Sequence, residues 1–303
     1  MLNKMIAGIL PYMPKKLVWL VSKEYIAGET LQDAIEAAKK HNSEGILTTI
    51  DVLGEFITSL DQARENKDEY LEVIEQCEKA GIQGNYSLKP TFFGLLLDAE
   101  VAYGYIREVV ACAAGYGNFV RIDMEDSPCT QMEIDMFRRL KKEFPASVGL
   151  VFQAYLKRTA ADIEGLKDLN SEEHPLNFRI CKGIYVESEK ITFKDRQQVI
   201  DHFLDDIELM LKNKMYPAIA THDNAVVEGA YRLLEKYTPA HDQYEFQMLY
   251  GVTPGLRKSI VDNGHKMRVY VPFGKQWFGY CTRRLKENPA MAGMVIKAMF
   301  KKG

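Results

Sequence analysis

The strongest constraint on the fold is a rhythm. Past about residue 44, eight short β-rich runs recur: EGILTTIDV, IQGNYSLK, NFVRIDM, VGLVFQAYL, NFRICKGIY, YPAIATH, YEFQMLY and KMRVYVP. Their spacing is roughly 20 to 40 residues, the repeat length of a strand and a helix together. Between them lie helical stretches such as NKDEYLEVIEQCEKAG and QMEIDMFRRLKKEF, several ending in glycine or followed by proline, as helix stops do. Strands that alternate with helices build a parallel sheet. Eight such units fit a closed (β/α)8 barrel better than an open doubly wound sheet. The expectation is an α/β barrel of the TIM type over residues 44–303, preceded by a helical preamble over residues 1–43.

Bulk properties narrow the function classes. The 303 residues are 47% hydrophobic and 27% charged, an ordinary globular balance. A net charge of −3 offers no basic face for nucleic acid. No apolar run approaches the roughly 20 residues that span a bilayer. The first residues, MLNKMIAGILPYMPKKLVWLVSKEY, are apolar and basic, but Pro11 and Pro14 interrupt them and no small-residue cleavage site follows. They read as a helical lead-in with peripheral membrane contact left open. Five scattered cysteines without CxxC, and six histidines without HExxH, argue against a disulfide framework or a metal site and for a reducing cytoplasm.

In a barrel the chemistry sits at the C-terminal ends of the strands. Strand two ends at Lys89, either a solvated rim lysine or a compact cation in the mouth. Strand three places Arg121, Asp123 and Glu125 on one alternating face, which demands pairing or use, since buried charge is costly. Strand four carries the amide of Gln153, and strand five Arg179 followed by Lys182 and Gly183. A buried guanidinium needs an anion, and a glycine lets a flat ligand approach the backbone. Strand six ends in Thr221, His222 and Asp223, either a simple N-cap with a buried histidine or a pair of donors to a cofactor. No GxGxxG, GxxxxGK[ST] or GxSxG is present, so any cofactor is held by the barrel mouth itself. In the last helix Tyr280 and Arg284 share a face, with Arg283 and Glu287 on an adjacent one. The exit VPFG leaves little room to turn back, which suggests a helix laid over the mouth. Its two arginines and Lys89 would then converge on a carboxylate.

At this point the residues resemble those of a known family. RVYVPFGKQWFGYCTRRLKENP is similar to the signature of the FAD-dependent proline dehydrogenases. IDVLGE, SLKP, RIDME, QAYLKR, FRICKGIY, ATH and EFQMLYG appear in family order and cover nearly the whole chain beyond the preamble. The length resembles the monofunctional form, with a separate pyrroline-5-carboxylate dehydrogenase downstream.

The resemblance implies a distorted (β/α)8 barrel with its last helix across the top. It implies that Arg283, Arg284 and Lys89 bind the carboxylate of L-proline, that Tyr270 packs on the pyrrolidine ring, and that Tyr280 lies on the substrate side. Asp123 and Arg179 correspond to candidate catalytic residues. FAD contacts carry over to Met124, Gln153, Arg179, Lys182, Gly183, Ile184, Thr221, His222 and Glu287, and Glu55 would pair with Arg283 as a gate. The implied chemistry is hydride transfer from proline C5 to flavin N5, giving Δ1-pyrroline-5-carboxylate, with a quinone as electron acceptor. Three positions depart from the usual pattern: Ile184 for alanine, Asp223 for asparagine and Met291 for asparagine. Two rivals share the barrel. One is a Schiff-base lyase using Lys89 or Lys182, the other a non-catalytic binder of amino acid or flavin.

Overall fold

The structure, a computed structural model, describes Trp19, residues 23–54 and residues 57–280. Its framework begins with α1 (Leu31–Ser43), β1 (Leu47–Val52), α2 (Leu60–Lys79), β2 (Gly84–Leu88), α3 (Ala99–Gly115) and β3 (Val120–Ile122). It continues with α4 (Ser127–Glu143), β4 (Val148–Gln153), α5 (Thr159–Gly165), β5 (Asn177–Cys181) and α6 (Arg196–Lys212). The last turn of the circuit is β6 (Tyr216–Ala220), α7 (Asn224–Tyr237), β7 (Glu245–Leu249), α8 (Pro254–Asp262) and β8 (Met267–Phe273). All neighbouring strands are parallel and in sequence order, and β8 closes on β1. The expected eight-stranded barrel is what forms.

Local chemistry sets the elements. Thr30, Ser59, Asp98, Asp195 and Asp223 each accept a backbone N–H at the start of a helix, satisfying donors the helix leaves orphaned. Ser59 starts α2 about two turns before NKDEY, and Pro128 opens α4 ahead of QMEID, so both helices are longer than their amphipathic cores. In α2 the buried Tyr70, Val73, Ile74 and Cys77 recur at helical spacing and face the sheet. On the outward faces of the strands Ile50, Leu88, Ile122, Phe152, Ile180 and Phe246 are buried beneath the helices.

The inside of the barrel is polar. Ser87 on β2 bonds Arg179 on β5, and Tyr270 on β8 bonds Asp123 just past β3. Links between non-adjacent strands must cross the interior. Arg121 fills the lower layer, donating to the backbone and side chain of Asn177. Gly149 makes room for it, since a Cβ there would lie 2.6 Å from the guanidinium. Above this layer, the start of the last helix brings Trp277 against Trp19, with ring centroids 4.8 Å apart. The Trp277 indole N–H donates to Glu29 over 2.7 Å.

Candidate active site

The strand ends enclose a cavity of about 910 Å³. Its floor is an ion cluster built from residues of, or just past, six strands. Arg179 donates to Asp123 over 2.7 Å and, through Nε, to Gln247 over 2.5 Å. Asp123 also accepts from Ser87 at 2.6 Å and from the Tyr270 hydroxyl at 2.9 Å. Lys89 stands 3.3 Å from both Asp51 and the Tyr270 oxygen, and 3.6 Å from Asp123. The Arg179 guanidinium lies 5.2 Å from the centre of the Tyr270 ring, within cation–π range.

The elements explain this convergence. β3 is only three residues long, and the Asp123 N–H makes its last ladder bond, to Leu88 O at 2.8 Å. The strand therefore releases Asp123 at the height of Lys89. Of Arg121, Asp123 and Glu125, expected on one face, the first two do share the inward face, and only Glu125 leaves it. Arg121 stays one layer below, and Glu125 swings out to accept from the N–H and hydroxyl of Thr91. Alternation holds from Arg121 to Asp123 and stops beyond the ladder, so Arg121 lies one layer below the floor, Asp123 in it, and Glu125 outside it.

Electrostatics fix the protonation of the cluster. Burial works against charge on Asp123, but Arg179 and then Lys89, with bonds from Ser87 and Tyr270, hold its carboxyl below the usual range. Burial likewise opposes the Lys89 charge, yet Asp51 and Asp123 raise its pKa well above normal. A lysine so firmly protonated is a poor imine former, which counts against Lys89 as the lysine of a Schiff-base lyase. Burial and the same two carboxylates push the Tyr270 hydroxyl well above a normal tyrosine, so it stays a donor. Asp51 is pushed up to about 6, by burial first and Asp123 second, against the pull of Lys89.

The far end of the cavity has another character. Lys182 and Arg196 both reach Asp223, at 2.5 Å and 2.8 Å. Asp223 is the N-cap of α7 and accepts from Ala225. That role falls to Asp223, while His222 beside it is half-buried, bonded at Nδ1 to Thr253 and at Nε2 by the Leu249 N–H. Gly183 adopts φ +96°, and a Cβ there would lie 2.2 Å from the Tyr155 ring. Met124, Gln153, Ile184, Thr221 and Tyr280 complete the lining. Gln153 is held by donating to Glu125 O at 2.8 Å.

Among the expected site residues, Lys89, Asp123, Arg179 and Tyr270 meet at the floor. Met124, Gln153, Lys182, Gly183, Ile184, Thr221, His222 and Tyr280 line the walls. Glu55, Arg283, Arg284 and Glu287 lie outside the described residues. Three floor residues were missed in the sequence: Asp51, Ser87 and Gln247. The signal available was a polar side chain at an interior position of an otherwise apolar strand.

Comparison with known proteins now decides the family. The sequence profile described as "Proline dehydrogenase" matches residues 34–297. The chain belongs to the proline dehydrogenase family. It is 37% identical to proline dehydrogenase 1 of Bacillus subtilis over 93% of this chain and 92% of that one. It is 33% identical to the proline dehydrogenase of Deinococcus radiodurans, over 95% and 93% of the two chains. The bifunctional protein PutA of Escherichia coli is 27% identical over 91% of this chain but only 24% of its own. Among solved structures, proline utilization A from Bdellovibrio bacteriovorus, inactivated by N-propargylglycine, superposes with a TM-score of 0.86 at 24% identity. That match covers 95% of this chain and 36% of the other, and it supports the barrel fold of proline dehydrogenases.

Proposed function

We propose that this chain oxidises L-proline to Δ1-pyrroline-5-carboxylate with bound FAD, passing the electrons on to a quinone. The observation that carries the reading is the floor cluster of Lys89, Tyr270, Asp123 and Arg179, set beneath a cavity with a cationic far end in a chain of this family. The cavity fits a dinucleotide flavin. Lys182 and Arg196 flank the N-terminus of α7, where a diphosphate gains from both charge and helix dipole. Gly183 lines the cavity with backbone alone, packed so closely on the Tyr155 ring that no side chain fits there. Met124, Gln153, Lys182, Gly183, Ile184, Thr221 and His222, with Arg179 beneath them, would hold the group. When bound, the flavin supplies the two-electron acceptor for a hydride from proline C5.

The chain's own task is to bind, orient and keep dry. Lys89, joined by Arg283 and Arg284 on the family resemblance, grips the carboxylate. Tyr270 presents its ring to the pyrrolidine. Asp123, held ionised, is a weak base; it locks the Arg179 and Tyr270 side chains in place instead. Enclosure away from water disfavours the ammonium form of proline, which must lose its proton before C5 can give up a hydride. Glu55 paired with Arg283 would close the mouth. Among the described residues no helix is long and apolar enough to cross a membrane, so delivery to a quinone would require surface contact.

The test is a spectrum. Purified protein, reconstituted with FAD where necessary, should show a flavin band that bleaches on anaerobic addition of L-proline. A protein that takes up no flavin, or a band indifferent to proline, would overturn the reading.

A further inference from the structure

The far end of the cavity is gathered around one carboxylate. Lys182, just past β5, and Arg196, the first residue of α6, donate to the same oxygen of Asp223, Oδ2, over 2.5 Å and 2.8 Å. The other oxygen, Oδ1, accepts from the Ala225 N–H at 3.0 Å as the N-cap of α7. Among the described residues, Asp223 is the only carboxylate that forms an ion pair with either cation. Glu228, further along α7, lines the same cavity but pairs with neither.

Topology brings the three together. β5 and β6 are paired neighbours, with Ile180 opposite Ile219, so Lys182 and the turn ending in Asp223 leave the barrel side by side. α6 connects these two strands, and its first residue stands at the same rim.

The two cations are loosely held and the anion is not. The side chains of Lys182 and Arg196 are 35% and 67% exposed, against 14% for Asp223. Ion pairs so exposed add little to stability, and either cation can turn to a ligand at small cost. Asp223 is tied to the start of α7 by its cap bond. Burial works against its charge, but Lys182, the Ala225 N–H and Arg196 hold the carboxyl below the usual range. A phosphate drawn to Lys182 and Arg196 therefore meets a fixed negative charge already seated on both.

We propose that Asp223 is a positioning residue for the phosphates of the cofactor, acting through Lys182 and Arg196. It gathers the two cations at the rim when no phosphate engages them, and it lowers cofactor affinity by competing for them when the cofactor docks. The effect is electrostatic, with no bond made or broken in the ligand. Asparagine and serine cap helices as aspartate does, so either one removes the charge, leaves α7 its start and releases both cations to the phosphates.

The inference rests on the flavin reading of the same cavity, and the experiment separates the two. The dissociation constant of FAD is measured for the full-length wild-type chain, Asp223→Asn and Asp223→Ser, from the fluorescence of flavin released on serial dilution. Each is measured at about 0.01 M and about 1 M salt, between which the screening length falls from about 30 Å to about 3 Å. At low salt both variants are expected to bind FAD about tenfold more tightly than wild type, a usual size for coupling between two binding groups. At high salt that gap should largely close. Equal affinities, or weaker binding in the variants, overturn the inference and leave the flavin reading standing. So does a gap that salt leaves unchanged, since altered packing is not screened. Chains that all fail to take up FAD overturn both. Asp223→Ser keeps the test decisive if Asp223→Asn fails to fold.

Discussion

At the scale of single residues, the floor is a set of side chains that each serve two partners. Gln247 is the least conspicuous. Its oxygen accepts from Arg179 Nε at 2.5 Å, and its nitrogen donates to Glu245 at 2.6 Å. The amide is thereby fixed in orientation, and it holds Arg179 from below while Asp123 holds it from the side. Replacing Gln247 by Leu leaves a buried Nε–H and a carboxylate each short of a partner, which costs about 1–3 kcal/mol apiece. The expected outcome is a fall of roughly tenfold to a hundredfold in kcat/KM for proline. Because Lys89 is untouched, KM should change less than kcat. An unchanged kcat would show that Arg179 needs no support from β7.

Between residues and the barrel lie the strand-to-helix turns, where backbone shape decides function. Gly183 leaves β5 at φ +96°, and its absent side chain leaves the Tyr155 ring in place. Gly183→Ala imposes both a left-handed strain and a clash, worth about 1–3 kcal/mol. If this turn forms the wall for the flavin, FAD affinity of the apoprotein should drop about tenfold to a hundredfold in a fluorescence titration. Affinity equal to wild type would remove Gly183 from the cofactor wall. The sequence makes this turn legible, because a lysine and glycine after an apolar run mark an exit. It also makes the strands legible, since β4 and β6 read as near-continuous apolar runs and β5 and β7 as apolar runs broken by single polar positions. What stays hidden is which polar positions meet. Tyr270 and Asp123 are 147 residues apart, and Arg179 and Gln247 are 68 apart; their meeting depends on register around the whole barrel. Asp51 in TTIDV looks like a polar strand end until β2 and β8 close over it. The departure of Glu125 from the face of Arg121 and Asp123 was hidden too, because a three-residue strand cannot be told from a longer one by alternation alone.

For the molecule as a whole, the charged interior links the site to the barrel's lower layer. From Asp123 the contacts run through Arg179, Gln247 and Glu245 to Arg268, which also donates to Thr48 O. Glu245 is the anion that this lower half depends on. Burial opposes its charge, but Arg268, then Gln247 and Arg121, bring its pKa down to about 2. A folded-state pKa below the unfolded value of about 4.3 means that the stabilisation is fully present above that value. It is lost as pH falls from about 5 through 2. Asp51, raised to about 6, has the opposite sign and loses its contribution as pH rises, so a wild-type profile alone mixes the two. A difference measurement isolates Glu245. Glu245→Gln keeps the shape but strips the counter-charge from Arg268 and Arg121, a loss of about 3–5 kcal/mol for a broken buried pair. In urea unfolding at pH 7 the variant should be less stable by that order. At pH 3 the gap should narrow markedly, because the wild-type carboxyl is then partly protonated in the unfolding equilibrium. A gap that stays constant from pH 7 to pH 3 would mean that Glu245 supports the barrel by packing and hydrogen bonding, and that its charge contributes nothing.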